Sequence, residues 1–328
     1  MKKRNGLIDI SRFLMSIYIM TGHMNTIGFT DTWPFSANGI VVEFFLILTG
    51  WYTAEHYISQ RNLVGGGVAE YTFRKFRRFI PYTCLAVFLE YFVVRNPITS
   101  TNPISIFNAI SEIFMLNAAC KELGQTVGAL WYLTALLVAF PVICILCENR
   151  KNGFVRVVTY LLPIIYYSNI DTAIRADIPW NIVRVIAGMC IGIVIRNIQE
   201  EYEHKGVNRT FSWMICIASL LTPIVMGALS FHNRRIFLFC FIVFVFLATR
   251  SCNINGNRVT FFLGNISMGI FILHWAVGDI VLKIFGETVS SLRLRGLIYF
   301  TITFMLTIMM YLIVNKVKLW SGKNGRKI

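Results

Sequence analysis

A chain of 328 residues that is 56% hydrophobic and only 14% charged, with a mean hydropathy of +0.62, is excluded from the ordinary soluble classes. It falls among proteins that cross a bilayer many times. The formal net charge of +15 is no nucleic-acid footprint, because the basic residues sit beside apolar segments. The eight cysteines mostly lie inside such segments and form no disulfide framework.

A membrane span needs roughly 20 apolar residues. The start, MKKRNGLIDIS, is basic and then apolar without a small-residue cleavage site, so it predicts a retained first span over 8–28 rather than a signal peptide. This span keeps Arg12 and His23. Eleven residues apart, they fall about 20° beyond three full helical turns, on one face and about 16 Å apart along the axis. Arg12 alone is open to snorkelling towards the headgroups, helped by Asp9, and His23 alone to a single structural hydrogen bond. Alignment of both favours a bundle interior or a wet cavity.

The second span, 37–57, reads GIVVEFFLILTGWYTAEH and places Glu43 at the depth of His23. A Glu–His pair is a general-base arrangement, in which the carboxylate orients the imidazole. The alternative partner for Glu43 is a structural group such as Arg184. Gly50 lets helices approach closely. Before the third span, 79–95, the stretch YTFRKFRRFIPY concentrates Arg74, Lys75, Arg77 and Arg78. Either these charges fix topology and touch lipid headgroups, or they clamp phosphates. The piece 104–119 is short, carries Glu112 and reads as an interfacial or re-entrant helix.

The fourth span, 127–147, opens with LWYL. Trp131 and Tyr132 there are either aromatic belt or a surface for stacking a sugar. Its Cys144-x-x-Cys147 lacks a second ligand pair and reads as two small hydrophobes, and no metal is expected. Further spans follow at 154–170, 181–197, 211–230, 236–250, 261–282 and 296–315. The ninth carries His274, again in the half of the membrane occupied by His23, with Ser267 two turns away on the same face. Ten crossings from an inside N-terminus put twenty-one lysines and arginines inside and nine outside, with Arg12 in a span. The expected architecture is therefore an all-α polytopic membrane protein with about ten transmembrane helices, both termini cytoplasmic, one short interfacial or re-entrant helix, and a single domain over 1–328.

The ordered set of Arg12-x10-His23 with Asp9 before it, VEFFLILTG, FRKFRRFIPY, LWYL and LGNISMGIFILHW resembles the membrane acyltransferase family 3 over almost the whole chain. Thr49 replaces a common serine, Ile270-Phe271 stands where a tyrosine is common, and Ala276 follows Trp275 where proline is frequent. The resemblance implies a stand-alone O-acyltransferase in the cytoplasmic membrane of a bacterium. It would move an acyl group, usually acetyl, from cytoplasmic acyl-CoA to a hydroxyl of a surface or lipid-linked glycan. On that reading His23 is the base or a transient acyl carrier and Glu43 orients it. Arg12 with Arg74, Lys75, Arg77 and Arg78 holds acetyl-CoA. Trp131, Tyr132 and His274 line the acceptor pocket. The partners are acyl-CoA, the glycan and the lipid bilayer, with no nucleic acid. The rival is a transporter or flippase of a sugar or lipid-linked glycan, since intramembrane Arg, His and Glu also serve proton coupling. No inverted repeat supports it.

Overall fold

The structure is a computed structural model that describes residues 4–25, 27–29, 38–64, 67–94, 103–116, 127–170, 178–202, 208–231, 233–289 and 291–324. Part of the 104–119 piece, Cys120, and several basic residues of the charge count (Lys2, Lys3, Arg95, Lys121, Arg175, Lys205, Arg326 and Lys327) lie outside them.

Among the described residues every regular element is helical. In chain order the helices are α1 Gly6–Gly22, α2 Val42–Val64, α3 Val68–Phe76, α4 Ile80–Phe88, α5 Pro103–Ile113 and α6 Trp131–Glu148. They continue with α7 Gly153–Ser168, α8 Ile178–Glu201, α9 Arg209–Ala228, α10 Arg234–Arg250, α11 Arg258–Phe285 and α12 Leu292–Asn324. A π-helical turn, Leu89–Val94, prolongs α4, and a 3-10 turn, Gly128–Leu130, leads into α6. Asparagine marks the starts. The side chains of Asn5, Asn152, Asn208, Asn233 and Asn257 each accept a backbone N–H of the first turn of α1, α7, α9, α10 and α11. Those N–H groups have no intrahelical partner, so the cap satisfies them.

Each of the ten apolar segments folds as helix, with shifted ends. The second begins and ends later than its apolar run, at Val42–Val64, because backbone hydrogen bonding carries the helix on through polar residues. The third divides into α4 and the π turn. Among the described residues five helices are long and apolar enough to cross a membrane: Gly128–Glu148, Trp180–Glu201, Arg209–Ala228, Arg258–Phe285 and Leu292–Val317. α5 is an 11-residue helix, after which Met115 turns the chain at φ 60°. Ile106, Phe107 and Ile110 are exposed on it, while Glu112 is fully buried.

Two helix pairs form the centre: α2 lies along α8 and α1 along α11. α6, α7 and α10 flank the first pair; α4 and α12 flank the second. The start of α1 is clasped to the α10–α11 connection. The Asn5 side chain donates to Ala248 O at 2.6 Å, Gly6 N to Ile254 O at 2.7 Å, and Gly256 N to Arg4 O at 3.0 Å. The α2–α8 seam is glycine-lined. A Cβ on Gly50 would stand 2.0 Å from Met189 O, and one on Gly192 2.1 Å from Ile47 O. Small residues at these positions let the backbones touch.

One ion pair crosses the same seam. Arg184 of α8 donates from Nε and Nη2 to the two carboxylate oxygens of Glu43 on α2, each at 2.7 Å, and Nη2 also reaches Gly39 O. Tyr167 of α7 donates to Glu43 Oε1 at 3.2 Å. Both charged side chains are buried, 3% and 0% exposed. Two buried charges persist only when each satisfies the other.

Two outcomes follow for stability. Gly192→Ala forces the backbones apart and lowers detergent-solubilised stability by about 1–3 kcal/mol, while Gly153→Ala, with open space around it, leaves the melting temperature in place. Arg184→Leu destabilises by about 3–5 kcal/mol because Glu43 is left buried without its counter-ion. The Glu43→Leu/Arg184→Leu double variant recovers most of that loss in the same thermal assay, and a double variant as unstable as the single one would refute the pairing argument.

Candidate active site

The site assembles at two ends of α1. Arg12 lies one turn beyond Asp9 on the first half of that helix. Asp9 is 3% exposed and taken by Arg4, whose Nε and Nη2 donate to the carboxylate at 2.5 and 2.7 Å. Arg12 is left at 3.9 Å from Asp9 Oδ1, beyond hydrogen-bond length. Its guanidinium keeps its donors, and 29% of the side chain is exposed.

The basic stretch divides by helical position. Arg78 lies near Arg12, Tyr132 and Tyr71, and its guanidinium sits over the Phe79 ring at 4.9 Å. Lys75, one turn earlier, places Nζ over the Tyr71 ring at 5.3 Å and senses Arg78. Burial, and then the positive charge of Arg78, push the Lys75 ammonium down to about 8. Arg74 leans on Glu70 of its own helix at 3.7 Å, and Arg77, exposed like Arg78, makes no contact with Arg12 or Tyr132 among those described. The structure thus brings Arg12, Lys75 and Arg78 together with Tyr71 and Tyr132 and leaves Arg74 and Arg77 outside that group.

At the other end of α1, His23 is the C-cap residue, and its N–H still bonds Ile19 O, so it keeps the helical register with Arg12. Its ring stacks on His274 of α11 (centroids 5.2 Å apart, planes at 30°) and meets Trp275 edge-on at 4.9 Å. The shared cavity expected for the two histidines is a direct contact. His274 Nδ1 lies 2.8 Å from Phe271 O and 3.2 Å from Ile270 O. A carbonyl only accepts, so Nδ1 carries the proton and Nε2 keeps its lone pair. Nε2 of His274 and Nδ1 of His23 are buried without a hydrogen-bond partner among the described residues.

Glu43 does not meet His23. No hydrogen bond joins them among the described residues, and both carboxylate oxygens serve Arg184 and Tyr167. The physical reason is geometric: a guanidinium offers two parallel charge-assisted donors to a carboxylate, an imidazole only one. Arg184 also sits over the Trp131 ring at 5.3 Å. Trp131 meets Tyr132 edge-on at 6.1 Å, and Tyr132 meets Phe271 at 5.2 Å, one turn from His274. Tyr132 is 7% exposed and within electrostatic reach of Arg12, Arg78 and Glu43, so it stands between the two ends.

Sequence reasoning overlooked Tyr167 and Trp275 as neighbours of the candidate acid and base. Tyrosines at helix ends are too common to signal anything. Trp275, however, follows His274 directly and shares its apolar segment. Cys144 and Cys147 are buried, free thiols.

The family of the acyltransferase domain matches residues 5–314, from the Asn5 cap to beyond the last element of the site. No curated protein and no solved structure matches the chain. The match runs through α1, the basic stretch and both histidines, so the residues assembled above all lie within it. The chain belongs to acyltransferase family 3, as a membrane acyltransferase.

Proposed function

We propose that this protein transfers an acyl group, acetyl in the first instance, from cytoplasmic acyl-CoA to a hydroxyl of a surface or lipid-linked glycan. The carrying observation is one helix with two unsatisfied ends: Arg12 beside Lys75 and Arg78 at one, and His23 against His274 at the other. The separation of about 16 Å suits an extended pantetheine arm. Phosphates bind the cationic group; the thioester reaches the imidazoles. His23 takes the proton of the acceptor hydroxyl as its oxygen attacks the thioester carbonyl carbon. The C–S bond breaks, and the proton passes to the departing CoA thiolate. His274, held as the Nδ1–H tautomer, supports the His23 ring and faces the reacting groups with a lone pair. Glu43 acts at a remove, by holding Arg184 over Trp131, where the acceptor is placed.

The topology that serves this reaction has ten crossings, both termini in the cytoplasm and one domain over 1–328, with α3 at the inner surface and α5 at the interface. The membrane is the cytoplasmic membrane of a bacterium. The basic residues gathered on the proposed inner side support this, since coenzyme A is found there.

Purified protein in proteoliposomes, given acetyl-CoA and a glycan extract, should release CoA thiol, and mass spectrometry should find one acyl group on the glycan. No thiol release by the intact protein would overturn the reading in favour of a carrier. His23→Ala should lower turnover about 10²–10⁴-fold with expression unchanged.

Donor affinity separates the basic residues. Arg78→Ala should raise the apparent KM for acetyl-CoA roughly tenfold, with little change in kcat, and Arg77→Ala should leave it unaltered. Lys75 adds a pH dependence. Its lowered pKa leaves the ammonium charged below about 8 and neutral above, so donor affinity falls as pH rises through that value. Lys75→Arg should flatten this limb of a KM–pH profile.

A further inference from the structure

His23 lacks the device that ordinarily aims a catalytic imidazole. No carboxylate or carbonyl holds a ring nitrogen among the described residues, and Nδ1 is buried and unpartnered. What touches the ring is aromatic: His274 stacked on one side at 5.2 Å and the edge of Trp275 at 4.9 Å. The aim of His23 is therefore set by packing, and by whatever fixes Trp275. His274 is fixed by its own helix through Phe271 O and Ile270 O. Trp275 is half-buried and is fixed by something else.

That something is the turn before α6. Gly128 packs onto the fused edge of the Trp275 indole. A Cβ built there would lie 2.4 Å from Cε2 and 2.6 Å from both Cδ2 and Cζ2. The contact tolerates no side chain, because three ring atoms share it and the indole is rigid. The turn is held in place by α5. Glu112, fully buried, accepts the backbone N–H of Val127 at 3.1 Å, and Val127 O accepts Leu130 N at 2.9 Å to close the 3-10 turn around Gly128. α5 is itself fastened to α4, where Thr83 donates to Ile113 O at 2.9 Å.

We infer that Glu112, Gly128 and Trp275 form a positioning relay for His23: the Glu112 carboxylate fixes the 127–130 turn, Gly128 seats the Trp275 indole, and the indole edge sets the orientation of the His23 ring. None of the three is a catalytic residue. The inference rests on the acyl-transfer reading of His23 only through its kinetic arm.

The relay predicts a specific pattern of coupling. Gly128→Ala displaces the indole, lowering kcat roughly 10–10²-fold while leaving the KM for acetyl-CoA in place, since Arg12, Lys75 and Arg78 lie at the opposite end of α1. Trp275→Ala removes the group through which Gly128 acts, so Gly128→Ala adds nothing in that background. Glu112→Gln keeps an acceptor oxygen for Val127 N–H and retains near-wild-type kcat, whereas Glu112→Leu falls towards Gly128→Ala. An arm independent of turnover follows diethyl pyrocarbonate modification of His23 by peptide mass spectrometry in the folded, detergent-solubilised protein. Gly128→Ala and Trp275→Ala should both raise its rate several-fold, and the double variant should match Trp275→Ala. Additive effects of Gly128→Ala and Trp275→Ala in both arms, or unchanged His23 reactivity in Gly128→Ala, would overturn the relay. Absence of thiol release from the wild-type protein would instead strike the acyl-transfer reading and leave the reactivity arm to decide the relay.

Discussion

A charge in an apolar bundle must be matched or put to use, and this structure follows from how its few charges are matched. Glu43 is matched by Arg184, with Tyr167 and Gly39 O completing the shell. Asp9 is matched by Arg4. These two pairings consume the carboxylates nearest the site. They leave Arg12 with a 3.9 Å ion pair to Asp9 beyond hydrogen-bond length, and His23 and His274 each with a buried ring nitrogen that has no hydrogen-bond partner among the described residues. Were Glu43 to turn to His23, Arg184 would be stranded in the α2–α8 seam, a far larger penalty than one imidazole without a hydrogen bond.

The result is an imidazole, His23, in an aromatic frame instead of a carboxylate–histidine pair. An imidazole hydrogen-bonded to a carboxylate is stabilised in its charged form. One framed by a neighbouring histidine and an indole has no carboxylate to do so.

Much of the fold was legible because apolar runs are long and the helical period aligns Arg12 with His23 whatever the tertiary context. Gly50 was legible as a close-approach residue, and its backbone contact with Met189 agrees. Partner choice was not legible. Glu43 and His23 share a depth, but depth says nothing of azimuth, and Arg184 wins by offering a fork. The basic stretch shows the same limit. Four charges in five positions look equivalent in a string, yet Arg74 pairs with Glu70 on α3 while Arg78, in the turn after it, comes near Arg12 and Lys75. Glu112 looked like an oddity in a short interfacial piece because its partner, a backbone N–H, leaves no trace in side-chain chemistry. Helix starts were placed one to three residues late by the apolar runs, because the asparagine caps before α1, α7, α9, α10 and α11 are polar and lie outside those runs.

The clasp at the start of α1 has a consequence for the order of assembly. Asn5 donates to Ala248 O, 243 residues further along the chain, and His23 meets its stacking partner only when α11 is in place. During synthesis the first helix enters the bilayer with Arg12 and His23 already exposed to lipid or to transient neighbours, and it waits there while ten more helices are made. A ribosome-bound or truncated chain that stops short of α11 therefore holds His23 without His274 and Trp275 around it. The frame closes late, when α11 packs along α1.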